Sequence, residues 1–283
     1  SEAQAFTIAW LSDTQNYHNA YKPIFDGMTQ WIADNRAALD IRFVFHTGDV
    51  VGSWSSEDQW RQARESMDIL SGASIPFLAA CGNHDIGYRM NYANFLKYVL
   101  SLRPASMSQE YGDTGSRYEL FSANGRDYIF MGIAFSNKGP SEDEVNWING
   151  VLRQYSSRDA IIITHSYLKK SASYTTQGKA IFEKIVKANP NVFLVLCGHC
   201  RDISYKNVQL DDDGDGNPDR TVYAILSNFQ GSKAGGGGYM RILDFRDSDI
   251  YIYTYSPYYD SCEYPKGKTE ATVPLPRLRY MAK

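Results

Sequence analysis

Five short polar clusters, each directly behind an apolar run of strand length, constrain this chain more than any other feature. Asp13-Thr14-Gln15 follows the run from Phe6 to Leu11, Gly48-Asp49 follows Ile41 to Phe45, and Gly82-Asn83-His84-Asp85 follows Ile75 to Ala80. Further on, His165 ends the run Ala160 to Thr164, and Gly198-His199 ends Val192 to Cys197. Between the runs, apolar residues recur at helical spacing. Ile24 to Leu39 places Ile24, Met28, Trp31 and Ile32 on one face, and Glu57 to Leu70 starts behind the capping serines Ser55 and Ser56. Glu142 to Tyr155 and Gly178 to Ala188 are the later helices. Strands that alternate with helices form parallel sheets, and ligands collect at the carboxyl ends of such strands.

The remaining segments complete the fold class. Asn91 to Leu100 reads as helical, and Arg117 to Ser122 pairs with Tyr128 to Ala134 in a hairpin across Asn124-Gly125. The final third has no helical period; Ile203 to Leu210, Thr221 to Leu226, Tyr239 to Phe245 and Ile250 to Tyr255 read as strands. The expectation is an α/β fold with two packed sheets flanked by helices, in one domain over residues 1–283. In this reading the antiparallel strands of 203–255 complete the second sheet. No internal repeat or linker divides the chain, and the glycine run from Gly235 to Gly238 is too short to be one. The densest apolar run, Val192 to Cys197, falls far short of the ~18–20 residues of a transmembrane helix.

Charge and histidine usage narrow the chemistry. The 29 Lys+Arg against 32 Asp+Glu leave a net charge of −3, which argues against a general nucleic-acid or anionic-membrane binder. Asp211, Asp212, Asp213, Asp215 and Asp219 supply more than that total, so the rest of the chain is mildly basic. The histidines are five: His18, His46, His84, His165 and His199. Three of them fall in the strand-end clusters. Carboxylate, amide and imidazole ligands converging from five strand ends suit a pair of Zn, Mn or Fe ions. Cys197 and Cys200 form a lone C-x-x-C without a second pair, so buried free thiols are the simpler reading for these cysteines.

In this order the clusters resemble the motifs of the calcineurin-like metallophosphoesterases: D-x-H, G-D-x-x, G-N-H-D/E, a lone His, and G-H-x-H. Here they stand as Asp13-Thr14-Gln15, Gly48-Asp49-Val50-Val51, Gly82-Asn83-His84-Asp85, His165 and Gly198-His199-Cys200-Arg201, across about two-thirds of the chain. The opening Trp-Leu-Ser-Asp-Thr-Gln and the glycine-rich loop are similar to a secreted bacterial branch of that family. The resemblance implies a four-layer α/β/β/α sandwich and a dinuclear centre. Asp49 would bridge the two metals, Asn83, His165 and His199 would complete the second site, and Asp13 and Gln15 would serve the first. His84 would protonate the leaving oxygen or stabilise the phosphoryl group, oriented by a hydrogen bond to Asp85. Two cations about 3.5–4 Å apart stabilise both oxygens of an in-line displacement and ionise a bound water near neutral pH.

Two positions depart from the pattern. Gln15 replaces an imidazole by a neutral amide oxygen. Arg201 stands where the second His of G-H-x-H belongs, and a guanidinium cannot ligate a metal. The second site is therefore expected to bind metal more tightly than the first. Arg201 either grips a phosphate oxygen bidentately or pairs with Asp202 or a distant carboxylate. Cys200 is a further soft ligand to consider.

Secondary signals are weaker. Asp211-x-Asp213-x-Asp215-Gly216 with Asp219 matches part of a calcium loop over 211–219, but Val222 occupies the place of the bidentate acid, so a solvated hairpin loop competes with a calcium site. Tyr17 and His18 follow the first motif and are candidates to face a substrate, whereas His46 reads as core. The Gly231 to Gly238 loop has no following helix and is not a nucleotide fingerprint. Trp54, Tyr88 and Tyr167 are candidates for an aromatic rim. Cys200 with Cys262 is a candidate disulfide in an exported protein.

The reading is a metal-dependent hydrolase of phosphomonoesters or phosphodiesters, in which a metal-bound hydroxide attacks phosphorus in line. Arg201, Asn83 and His84 would touch a small phosphorylated substrate. The alternative is a binding module that retains the scaffold without catalysis, which the replacements at 15 and 201 favour and the presence of His84 disfavours. The chain is expected to be monomeric. The missing initiator Met and the resemblance lead to an expectation of a secreted or periplasmic protein.

Overall fold

The computed structural model describes residues 5–102 and 108–277. Two sheets lie face to face. The first has six strands in the order β13 (Ala271–Pro274), β12 (Asp249–Tyr255), β11 (Met240–Phe245), β1 (Phe6–Leu11), β2 (Ile41–His46) and β3 (Phe77–Ala79). The second has seven, in the order β4 (Ser108–Tyr111), β5 (Ser116–Ala123), β6 (Arg126–Ile133), β7 (Asp159–Thr164), β8 (Val192–Cys197), β10 (Arg220–Asn228) and β9 (Asp202–Leu210). Strands β1, β2 and β3 are parallel, as are β6, β7, β8 and β10. The helices α1 (Lys22–Asp34) and α2 (Glu57–Gly72) connect strands of the first sheet, and α5 (Glu142–Gln154) and α6 (Thr176–Ile181) strands of the second. Two short helices, α3 (Asn83–Ile86) and α4 (Ala93–Tyr98), follow β3.

Strand periodicity explains the layering. Along β1, Phe6, Ile8 and Trp10 point into the space between the sheets, where they meet Phe43, Phe45, Phe130, Ile161, Ile163, Leu194 and Leu196. The alternate residues Ala9 and Leu11 pack with Ile24, Phe25, Met28, Trp60 and Met67 of the helices on the outer face. On the other sheet, Ile129, Met131, Ile162 and Val195 face Ile148, Leu152, Ile181 and Ile185. Burial on both faces is why the central strands read as continuous apolar runs. Aromatic edges knit the middle layer; Phe130 lies 5.0 Å from Phe43 and 4.8 Å from Phe45, centroid to centroid.

This is the expected two-sheet sandwich flanked by helices. Ser56 caps α2, its hydroxyl accepting from Gln59 N, and the Asn124-Gly125 turn joins β5 to β6. The expectation that residues 203–255 complete a single second sheet is corrected. Strands β9 and β10 extend the seven-stranded sheet, whereas β11 pairs antiparallel with β1 and carries β12 and β13 with it. Alternation specifies which face of a strand is buried but not which sheet receives it. The third strand is shorter than expected, because Pro76 lacks an amide donor for the ladder. The helix expected from Gly178 begins at Thr176, capped by the Thr175 hydroxyl, and widens into a π turn over Phe182–Val186. Among the described residues, no helix is long and apolar enough to cross a membrane.

Candidate metal centre

The loops after β1, β2, β3, β7 and β8 meet at one end of the sandwich. The turns that follow these strands are sharp: Asp13, Asp49 and His199 have φ of 52°, 53° and 69°. Non-glycine residues in this region carry local strain, which recurs where side chains must be aimed. Small residues make the close approach possible. A Cβ on Gly82 would collide with the Asp49 carboxylate, and one on Gly198 with the Asp13 carboxylate and the Ser12 hydroxyl.

Around one point stand four atoms that carry lone pairs. His165 Nε2 is 3.1 Å from Asn83 Oδ1, 3.2 Å from His199 Nδ1 and 3.3 Å from Asp49 Oδ2. His165 Nδ1 lies 2.8 Å from the Thr47 carbonyl, so it donates there and leaves Nε2 turned to the cluster. The Asn228 side chain holds the backbone of His199 by donating to its carbonyl at 3.0 Å. Asp49, His165 and His199 form a group able to hold a metal ion.

Asp13 and Gln15 stand beside this group. Asp13 accepts from Ser12 Oγ and, at 3.2 and 3.3 Å, from His199 N. Behind it a relay runs from Trp10 Nε1 through Thr47 Oγ1 to Ser12 Oγ, at 3.1 and 2.7 Å. Gln15 donates from Nε2 to Gln230 Oε1 at 2.8 Å and to Asp49 Oδ2 at 3.3 Å. Its Oε1 is buried and has no hydrogen-bond partner. A buried amide oxygen without a partner is costly unless something positive approaches it. The donor set therefore fits hard or borderline cations: carboxylate, amide oxygen and imidazole, with an orphaned oxygen on the Asp13–Gln15 side.

The titrations express the same crowding. Burial and the Asp49 charge push Asp13 up to about 7, although His165 opposes them. Burial disfavours protonation of His165, but the Asp49 and Asp13 carboxylates outweigh it and raise the imidazole to about 9. Burial and the His165 charge lower His199 to about 4. Burial raises Asp49, but His165 overcomes it and holds the carboxyl below its usual value. In the metal-free chain, the proton on His165 thus takes the place of a cation.

The remaining residues of the motifs have distinct places. His84 is exposed; its Nδ1 is 2.9 Å from the Gly52 carbonyl, and its backbone N–H donates to Asp49 Oδ1 at 2.8 Å. The expected hydrogen bond from the His84 ring to Asp85 is not formed. Asp85 is buried and accepts from Gly82 N at 2.7 Å and Val51 N at 3.1 Å, joining two ligand loops, and burial with the Asp49 charge raises it to about 8. One turn of α3 points the two neighbouring side chains apart. Arg201 is exposed and does not pair with Asp202, which is held by Lys170 at 2.6 Å. His46 is buried as expected and has a structural task. Its Nδ1 accepts from Gly48 N at 3.1 Å, so Nε2 carries the proton toward Thr14 Oγ1 at 3.0 Å.

Of the expected aromatic rim, Tyr88 is 80% exposed and Trp54 half-buried, but Tyr167 is 1% exposed and belongs to the core. Tyr17 is buried and accepts from Gly238 N at 2.9 Å, anchoring the glycine-rich loop instead of facing a substrate; His18 is half-buried. All four cysteines are free, so Cys200 and Cys262 are not joined. In the acidic loop Asp211, Asp213 and Asp215 are exposed and close enough to share an ion, but they also accept backbone amides of Gly214, Gly216, Asp215 and Asn217 within the loop. Val222 is buried in β10 and supplies no ligand.

Gln230 and Asn228 are the participants the motif reading missed. Asn228 ends β10, a strand parallel to β8, and Gln230 lies two residues beyond it. The rule that found the other clusters, polar residues directly behind an apolar run, also applies to Ser227-Asn228-Phe229-Gln230.

A family model described as calcineurin-like phosphoesterase matches residues 6–200. The uncharacterized protein YvnB of Bacillus subtilis (strain 168) is 41% identical over 259 residues, 89% of this chain; the chain spans about a fifth (20%) of that relative's length. A dimetal phosphatase from Danio rerio superposes with a TM-score of 0.65 at 12% identity, covering 97% of this chain and 99% of that one. The purple acid phosphatase PPD1 of yellow lupin seeds gives 0.63 at 13% identity, over 96% of this chain and 54% of that one. GAP50 of Plasmodium, described as the anchor in the inner membrane complex, gives 0.63 at 13% identity, over 97% and 90%.

Proposed function

Because the chain belongs to the calcineurin-like phosphoesterase family, we propose that it hydrolyses a small phosphoester at the centre built around Asp49. The observation that carries this reading is the convergence of Asn83, His165, His199 and Asp49 on one point, with the orphaned Gln15 Oε1 beside it. Asn83, His165, His199 and Asp49 would hold one divalent or trivalent cation of the Zn, Mn or Fe kind. Asp13, Gln15 and the shared Asp49 would hold a second, more weakly. Such a pair supplies Lewis-acid stabilisation to the attacking and leaving oxygens of an in-line displacement.

The chain's own groups supply positioning and a proton. The Gly52 carbonyl accepts from Nδ1 and orients the exposed His84 ring, so that in the imidazolium form Nε2–H would protonate the leaving oxygen or bind the phosphoryl group. Asn83 and the Arg201 guanidinium would meet phosphoryl oxygens, the latter with Asp202 already occupied by Lys170. Asp85 keeps the loops of Asp49 and Asn83 in register.

The test is turnover of aryl phosphomonoesters and bis-aryl phosphodiesters by chelated protein before and after return of Mn or Zn. Chelation is expected to abolish hydrolysis and the metal to restore it; turnover that survives exhaustive chelation refutes the proposal. A second reading, a binding module on the same scaffold, is favoured by Gln15 and Arg201 and by the fold shared with the anchor GAP50. It predicts metal binding with no turnover on any of these esters.

A further inference from the structure

A cleft of 530 Å³ opens beside the metal centre, between the 231–233 stretch of the glycine-rich loop and the 259–266 segment. The chain itself links it to the centre. Asn228 holds His199 and Gln230 holds Gln15, and the next residue, Gly231, begins the cleft wall. On its other side Gly231 abuts Arg201, whose Cδ would lie 3.6 Å from a Cβ added there.

The lining has a consistent chemistry. Tyr239 and Tyr264 form a fixed floor, 5.1 Å apart between centroids and packed on Phe229 at 5.6 and 5.1 Å. Tyr259 sits 5.7 Å from Tyr239 and 4.8 Å from Tyr258 and is 44% exposed, so part of its surface is open to a ligand. Lys233 and Lys266 are exposed at the rim, and no carboxylate lines the cleft. Neither lysine forms an ion pair among the described residues. The acid near Lys266, Asp202, is paired with Lys170. Aromatic walls under a cationic rim select a ring that carries negative charge.

We propose that this cleft is a leaving-group subsite, and that the substrate is a phosphoester of a ring-bearing alcohol with a second negative charge. The assignment rests on the phosphoesterase reading and deepens it. With phosphorus at the metal centre beside Arg201, the ester oxygen would point toward Gly231, the ring would lie on Tyr259, and the second charge would meet Lys233 and Lys266. On hydrolysis the bond from phosphorus to that oxygen breaks, water supplies the new oxygen on phosphorus, and the leaving alcohol departs with the proton.

The experiment compares the Mn-reconstituted protein with its Lys233→Glu/Lys266→Glu variant on phenyl, meta-carboxyphenyl and meta-trimethylammoniophenyl phosphates. The preference in kcat/KM for the carboxylated over the ammonium ester is expected to fall about tenfold in the variant, and intrinsic leaving ability cancels from that ratio. Tyr259→Ala is expected to raise KM for phenyl phosphate about fivefold relative to methyl phosphate. In parallel, calorimetry follows meta-carboxyphenylphosphonate, which is not hydrolysed; its affinity is expected to drop about tenfold in the lysine variant. Ratios and phosphonate affinity equal to wild type overturn the subsite. If no ester is turned over by either protein, the phosphoesterase reading fails, and the phosphonate titration still decides whether the cleft binds such a ligand.

Discussion

The two halves of the metal centre arise from the same device, a polar turn behind a parallel strand, yet they are not equivalent. Around His165 the other ligand atoms lie within 3.3 Å of its Nε2, the Thr47 carbonyl fixes its ring from behind, and Asn228 holds the backbone of His199. Around Asp13 and Gln15 there is no imidazole: Asp13 leans on Ser12 and the backbone of His199, and Gln15 is tied to Gln230 through its amide nitrogen. The first arrangement would take a cation with little rearrangement; the second would offer it two oxygens and a share of Asp49.

The largest expected effect comes from removing the group both halves share. Asp49→Asn should lower turnover about 10³-fold or more and weaken both cations, as read by kcat and by metal titration. Next, His165→Ala should reduce the affinity of the first cation bound by about 100-fold or more, whereas Gln15→Ala should leave that event intact and weaken only the second. Equal effects of the two substitutions would erase the difference between the halves. His84→Ala should lower kcat about 10²- to 10³-fold while both metals still bind, because the contact of residue 84 with Asp49 is made by its backbone.

The pH dependence sharpens the comparison from another side. Asp13, Asp85 and His165 are raised to about 7, 8 and 9, so in the folded metal-free chain they still hold protons that the unfolded chain has released above pH 6.5. His46 and His199 are lowered to about 3 and 4 and are neutral in both states there. Stability of the metal-free protein should therefore fall as pH rises from 6.5 to 9. The rise in Tm on adding Mn or Zn should grow over the same window, since the ligands bind metal deprotonated. A metal-free Tm that climbs between pH 6.5 and 9 contradicts the assignment. The smallest effect concerns the brace between loops: Asp85→Ala should cost about 1–3 kcal/mol by leaving Gly82 N and Val51 N without an acceptor, and Asp85→Asn less. Chemical denaturation measures both.

What the sequence disclosed depended on how local the determinant was. Strand-end residues such as Asp13, Asp49, Asn83, His165 and His199 were legible because an apolar run and its polar terminus lie within a few residues of each other. The partner of His84 was not: Asp85 is adjacent in sequence, but the turn of α3 directs it beneath the loops, and a carbonyl from residue 52 takes its place. Gln230 was obscured because it acts across more than two hundred residues, behind a strand of the antiparallel-looking final third. The division of the late strands between two sheets was equally hidden, since β9 and β11 both read simply as strands and a strand-length run does not name its pairing partner.

Metal stoichiometry measured against turnover tests the account most directly. Chelated protein titrated with Mn or Zn should be inactive at the start and should bind a first equivalent that His199→Ala weakens and Gln15→Ala does not. Hydrolysis should then appear as the second equivalent fills. Hydrolysis by the metal-free protein, or a first equivalent that depends on Gln15 and not on His199, would contradict it.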